Sequence, residues 1–405
     1  MRTGKWLIGP VLILTALMFA ASPAHSKKYG PGVTDSEIKI GNINPYSGPA
    51  SAYGTIGRAI AAYFKMVNET QGGVNGRKIN FISYDDGYSP PKTVEMARKL
   101  VERDRVLLIF QSLGTPTNTA IHKYMNKKKV PHLFVATGAS KWNDPKGHPW
   151  TMGWQPNYQT EAKIYAKYIL RTKPNARIGV LYQNDDYGKD YLEGFKKGLG
   201  GKASMIVSEQ SYETSNPTVD SQVVNLKNSG ADVFFNVTTP KFAAQAIKKA
   251  HDIGWKPLQF VNNVSNQVRT MRNAGFAAAN RIISSTYEKD PGDPEFSSGK
   301  DMREWRAFMK KWYPNGSLES SSNVYGVDVA RTMIHVLEKA GDNLTRENIM
   351  KQAASIKDLV LPLRLPGIKI NTSSTDFAPI EEMQLMQFDG KNGAWNRFGE
   401  IIGAN

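Results

Sequence analysis

Along the first 140 residues, apolar runs of strand length alternate with stretches whose apolar positions recur every three or four residues. Glu37–Ile43 alternates and then runs apolar, which predicts a strand. Ser51–Thr70 collects Ile56, Ile60, Tyr63, Phe64 and Val67 on one face, which predicts a helix. Strands are predicted again at Lys78–Tyr84, Val106–Phe110 and Val130–Ala136, with helices from Pro90 to about Arg103 and from Pro116 to about Lys128. Strand followed by helix on short connections specifies a doubly wound parallel sheet.

The pattern restarts after the aromatic stretch Trp142–Trp154. Helices over Glu161–Leu170, Tyr187–Leu199, Thr218–Asn228 and Lys241–Ile253 alternate with strands Arg177–Tyr182, Ala203–Glu209, Asp232–Val237 and Leu258–Val261. The halves share this order and no sequence repeat. Past Ile282 the order loosens: helices are predicted at Ser297–Trp312, Asn323–Lys339 and Arg346–Ala354, and strands at Gly367–Ile370 and Glu382–Phe388. That is too little sheet for a third domain. The expected fold is therefore α/β, two doubly wound parallel-sheet lobes joined by multiple crossovers.

Ligands of such sheets sit beyond the carboxyl ends of the strands, and several of those ends here are rich in Ser, Thr and Gly. In Val106–Asn118 a buried strand ends in Ser112, Gly114, Thr115 and Thr117 and feeds straight into a helix. The first N–H groups of a helix have no partner inside it, and with the helix dipole they can hold a carboxylate. Taken alone this is an ordinary connection. The matching turn at Ala136–Ser140 makes it the candidate carboxylate seat, built from N–H groups near Gly114 and Thr115 aided by the Ser112 hydroxyl.

Composition adds an address. Arg2 and Lys5, the apolar run Leu7–Ala21 and the small-residue exit at Ser26 read as a secretory leader over residues 1–26, cleaved near Ser26. About 379 of the 405 residues then remain, enough for two domains. No later segment is long and uncharged enough to span a membrane, so stable membrane insertion is not expected. The chain has no cysteine, which excludes disulfides, thiolate metal sites and cysteine nucleophiles. The formal charge of +16 is dispersed, with no basic run longer than Lys127–Lys129, so nucleic acid is not an expected partner while acidic ligands are favoured.

Catalytic signatures are missing: no GxxxxGK[ST], GxGxxG, HExxH or GxSxG is present. Ser89-Pro90-Pro91-Lys92 matches SxxK without a following KTG. The six histidines never fall at metal-ligand spacing, so neither metal nor cofactor is expected. Asp85 and Asp86 are adjacent on an extended segment and point opposite ways, which favours capping the loop over sharing a site. Trp142, Trp150 and Trp154 read equally as an aromatic pocket or as crossover packing.

Together, the leader, EIKIGNINPYSGPASAYG, NETQGGVNGRKINFISYDD, the turns after the third and fourth strands, and LYQNDDYGKDYLEGFKKGL resemble the periplasmic leucine/isoleucine/valine-binding protein family, the type I substrate-binding proteins of ABC importers. The resemblance implies a periplasmic, monomeric, non-enzymatic two-lobed clamp. One lobe would comprise residues 27–156 with 287–375, the other 157–286 with 376–405. It implies a small-molecule ligand held by Ser112, Leu113, Gly114 and Thr115, and by Ala136, Thr137, Gly138 and Ser140 after the fourth strand. Tyr53, Tyr187, Thr238 (or its neighbour Thr239), Asn263 and Tyr325 complete the implied site, and the implied partner is an ABC importer permease. The sequence departs from the family at Val261-Asn262-Asn263-Val264-Ser265, where amino-acid binders carry an acid for the ligand ammonium. A buried ammonium without a countercharge is costly, so the expected ligand is a carboxylate or amide without an ammonium, aromatic solutes included. The competing readings are a branched-chain amino-acid binder, a ligand-sensing lobe for a signalling partner, and an exported amidase or hydrolase using Asp85 or Asp86.

Overall fold

The computed structural model describes residues 27–403 together with Thr3 and Gly4, so the expected leader and its cleavage point lie almost wholly outside the described residues. Two sheets dominate. The first has five parallel strands in the spatial order Lys78–Asp85, Glu37–Asn44, Leu108–Phe110, His132–Val135 and Thr151–Gly153. Its central strands are buried along their length, as continuous apolar runs in a sheet covered on both faces should be.

The second sheet has seven strands. Ile206–Tyr212, Ile178–Gln183, Val233–Val237, Leu258–Val261 and Ile283–Thr286 run parallel, and an antiparallel hairpin of Glu382–Asp389 and Ala394–Gly403 is added at the Ile283–Thr286 edge. The chain passes between the sheets three times, after Gly153, after Thr286 and before Glu382. On the second passage the long helix Ser321–Ala340 returns to pack on Gly54–Gln71 of the first sheet's helical layer.

Several elements differ from expectation for visible reasons. Gly367–Ile370 is no strand: Ile370 and Leu359 exchange backbone bonds as an isolated bridge. The strand expected at Ala203–Glu209 starts at Ile206, because residues 200–205 wind into a tight turn after Gly200, whose φ is +55°. Three strands of the two large sheets went unpredicted, as did the short pair Lys28–Tyr29 and Asn343–Leu344. Thr151–Gly153 is only three residues long, Ile283–Thr286 is hydroxyl-rich yet buried, and Ala394–Gly403 is a largely exposed outer strand.

The strand ends nearest the cleft are bent. Gln111 and Phe134 sit at φ +57° and +54°, and Tyr88 at +63°, a region uncommon for residues with a side chain. Backbone in such a state persists where the surroundings over-determine it. Gln111 is held by its N–H on Leu133 O at 3.0 Å and by its side-chain amide on Phe134 O.

Candidate functional site

The carboxyl ends of the two sheets face each other across a cleft. It leaves about 60 Å³ for the centres of water molecules, room for only a few of them. The walls are nearly in contact: the Tyr53 hydroxyl donates to Val264 O at 2.9 Å, and Lys141 pairs with Asp186 at 2.6 Å. Outside lies a broader basin of about 1150 Å³ that shares Gln267 and Ser322 with the cleft. Arg58, Lys241, Lys248, Arg269 and Arg272 line it against the single acid Glu319, so part of the dispersed positive charge gathers at the mouth.

The first wall is built from turns of the five-stranded sheet: Leu113, Gly114 and Thr115 after Leu108–Phe110, Ala136 after His132–Val135, and Tyr53 and Tyr88 beside them. Gly114 starts the helix Thr115–Lys128 at φ +105°, and a Cβ there would lie 2.5 Å from the Tyr88 ring, so only glycine fits. Thr137 Oγ1 accepts from Trp142 Nε1 at 3.2 Å and from the Ala139 N–H at 3.3 Å. Thr115 Oγ1 lies 2.6 Å from it in a pair in which either hydroxyl can donate, and with its proton turned to the cleft the Thr115 hydroxyl is a donor. With the unpaired helix-start N–H of Thr115 this gives a donor seat for an anionic or carbonyl oxygen.

The second wall comes from turns of the seven-stranded sheet, chiefly Tyr187, Thr239 and the segment Asn263–Gln267. Asp185 caps the helix Asp186–Leu199 by accepting from the Tyr187 N–H, which sets Tyr187 at the cleft. Behind Asn263 lies Glu161, whose carboxylate accepts from Tyr165, Tyr191 and the Asn263 N–H. Burial pushes its pKa up to about 7 despite those donors. Tyr287 and Glu288 complete the floor. Glu288 is also raised, to about 7, by burial, and one of its oxygens accepts from Arg364 at 3.0 Å. Arg364 is shared with Asp328 and lies over the Trp154 and Tyr287 rings.

Of the residues expected at the site, Tyr53, Leu113, Gly114, Thr115, Ala136, Tyr187, Asn263 and Tyr325 line the cleft. The others are turned elsewhere. The Ser112 hydroxyl is buried beneath the turn against Asn118 Oδ1 and, at 2.6 Å, His132 Nε2. It cannot reach a ligand, so its expected aid to the seat is corrected. Thr137 supports Thr115 from behind, and Gly138 lies under Tyr158, where a Cβ would meet Pro156 O at 2.4 Å. Ser140 bonds to Asp190 across the lobes and Thr238 to Asn236, leaving the neighbouring Thr239 on the wall. Tyr88, Gln155, Tyr158, Asn266 and Glu288 were missed, because their signal is tertiary: they follow strand ends whose boundaries the pattern blurs.

The remaining candidates resolve into structure. Asp85 accepts N–H bonds from Tyr46 and Gly87, and Asp86 from Tyr88 and the Thr93 hydroxyl. Both cap the loop. Trp142 and Trp154 are buried packing. Ser112 and His132 are both buried, and no group of residues suited to hold a metal occurs among the described residues. No described helix is long and apolar enough to cross a membrane.

The profile of a family described as periplasmic binding protein matches residues 37–394. The chain is 24% identical over 285 residues to a Leu/Ile/Val-binding protein homolog 7 of Brucella abortus, covering 68% of this chain and 69% of that one. A branched-chain amino acid ABC transporter structure from Thermus thermophilus with bound valine superposes with a TM-score of 0.81 at 17% identity, over 92% of this chain and 97% of the other. A fatty acid ABC transporter substrate-binding protein from Thermomonospora curvata gives 0.78 at 23% identity, over 93% and 95%.

Proposed function

We propose that this chain, which belongs to the periplasmic binding protein family, captures a small carboxylate or amide lacking a free ammonium and hands it unchanged to an ABC importer. The carrying observation is the cleft. A donor seat at Thr115 closes one end, and Glu288, the one acid on the lining among the described residues, gives one of its oxygens to Arg364. That ion pair offsets the countercharge an ammonium would need, whereas an acid or amide finds its oxygen partner at the seat. Delivery to an importer is supported by the names of relatives that are ABC transporter components. The lobes would be residues 27–156 with 287–375 and residues 157–286 with 376–405, closing on the solute because cross-cleft contacts form only when both walls meet.

A thermal-shift screen over amino acids, amides, dicarboxylates and aromatic acids tests this reading. A stabilising acid or amide recovered unchanged is the expected result. Turnover of any stabilising compound overturns it.

A further inference from the structure

The hydrogen-bond accounts of the second wall run opposite to those of the first. Asn263 Nδ2 donates to Ser285 O at 3.0 Å, and Asn266 Nδ2 donates to the same oxygen at 3.1 Å. Reversing either amide would set oxygen against oxygen, so the orientation is fixed by that carbonyl. Among the described residues neither Oδ1 has a hydrogen-bond partner, and both residues line the cleft.

Tyr187 behaves the same way. With its amide turned to satisfy both ends, Asn262 donates to Thr238 O at 3.1 Å and Asn236 O at 3.2 Å and accepts from the Tyr187 hydroxyl at 2.5 Å. The phenol proton is thereby spent inside the protein, and only lone pairs of Tyr187 are left for a ligand. Three oxygens from two separate turns are thus presented as acceptors.

We infer that Asn263 Oδ1, Asn266 Oδ1 and Tyr187 Oη form an acceptor wall that selects a solute whose distal end carries neutral N–H or O–H donors, a carboxamide or urea group being the best match. This deepens the proposed function and rests on its donor seat for the other end. A second carboxylate facing three acceptor oxygens would leave all of them unpaired, which a buried polar site discriminates against strongly. A carboxamide NH2, with two protons, bridges two of them.

Paired probes on the mature chain test the wall: succinamate against succinate, glutaramate against glutarate, and 4-carbamoylbenzoate against terephthalate, with butyrate and benzoate as plain monocarboxylates. The expected result is that the amide member binds at least tenfold tighter in each pair that binds, by calorimetry. Equal or reversed preference overturns the wall. If butyrate or benzoate binds and no amide member improves on it, the wall falls while the donor seat stands. If no carboxylate binds at all, both fall. Asn266→Leu, close in size, removes one acceptor and should narrow the preference for succinamate over succinate at least threefold. An unchanged ratio in the folded variant counts against the wall.

Discussion

The two walls of the cleft are made from the same kind of element, a turn after a parallel strand, yet they present opposite chemistry. On the first, Thr137 accepts from the Trp142 N–H and pairs with Thr115, whose N–H and hydroxyl are the proposed donors. On the second, Asn263 and Asn266 each donate an N–H to Ser285 O and Tyr187 donates to the turned Asn262 amide, which leaves their oxygens as the proposed acceptors. Hydroxyl and amide side chains are ambidextrous, and which half of each faces the solute is decided one layer further back. The polarity of a site is therefore a property of its support as much as of its lining.

The largest effect should come from breaking the geometry of the first wall. Gly114→Ala forces a Cβ to 2.5 Å from the Tyr88 ring at a φ of +105°. It should cost roughly 2–3 kcal/mol of stability and lower affinity for any stabilising acid or amide at least a hundredfold, read by thermal unfolding and calorimetry. Next, Thr115→Val removes the outward donor and should weaken binding of the same compound about tenfold to a hundredfold. Ser112→Ala, two residues away from Gly114, should leave affinity within threefold. Its cost appears instead as about 1–2 kcal/mol of stability, from the Asn118–His132 network left short of a partner. Equal losses of affinity at both positions would erase the distinction between lining and support.

Smaller changes probe how the walls meet. Tyr53→Phe deletes the bond to Val264 O that joins them and should raise the dissociation rate about fivefold with little change in association. The smallest effect concerns the support of the second wall. Glu161 has a folded-state pKa of about 7 against an ordinary 4.5, so the fold binds this proton more tightly than the unfolded chain does. Its contribution is fully present below about pH 4.5 and is lost as pH rises to about 7. Glu161→Gln should flatten that segment of the stability–pH curve, seen by denaturant titration at pH 5 and pH 8. A slope identical to the parent's would show that Glu161 does not titrate there.

How much of this the sequence carried follows the same division. Four of the first sheet's five strands were legible, the central ones as continuous apolar runs, and Leu113, Gly114 and Thr115 announce themselves as strand, turn and helix start. Tyr53 and Tyr187 followed from resemblance. Ser112 was placed at the ligand because a serine in that turn faces either way, and only the packing of Asn118 and His132 decides. Asn266 and Tyr158 stayed hidden for lack of a local pattern: one follows a short strand, the other a crossover whose bend depends on Gly138. Ile283–Thr286, the strand whose Ser285 carbonyl fixes the acceptor wall, was itself missed for having hydroxyls where buried strands usually carry branched apolar chains.

The proposed function rests on an ammonium meeting only neutral acceptor oxygens and one Arg364-paired acid, Glu288, in the cleft. Calorimetric titration of the mature chain with leucine and with 4-methylpentanoate, the same skeleton without the amino group, tests it most directly. 4-Methylpentanoate is expected to bind at least tenfold tighter than leucine. Micromolar or tighter binding of leucine, with the desamino acid weaker, would contradict it.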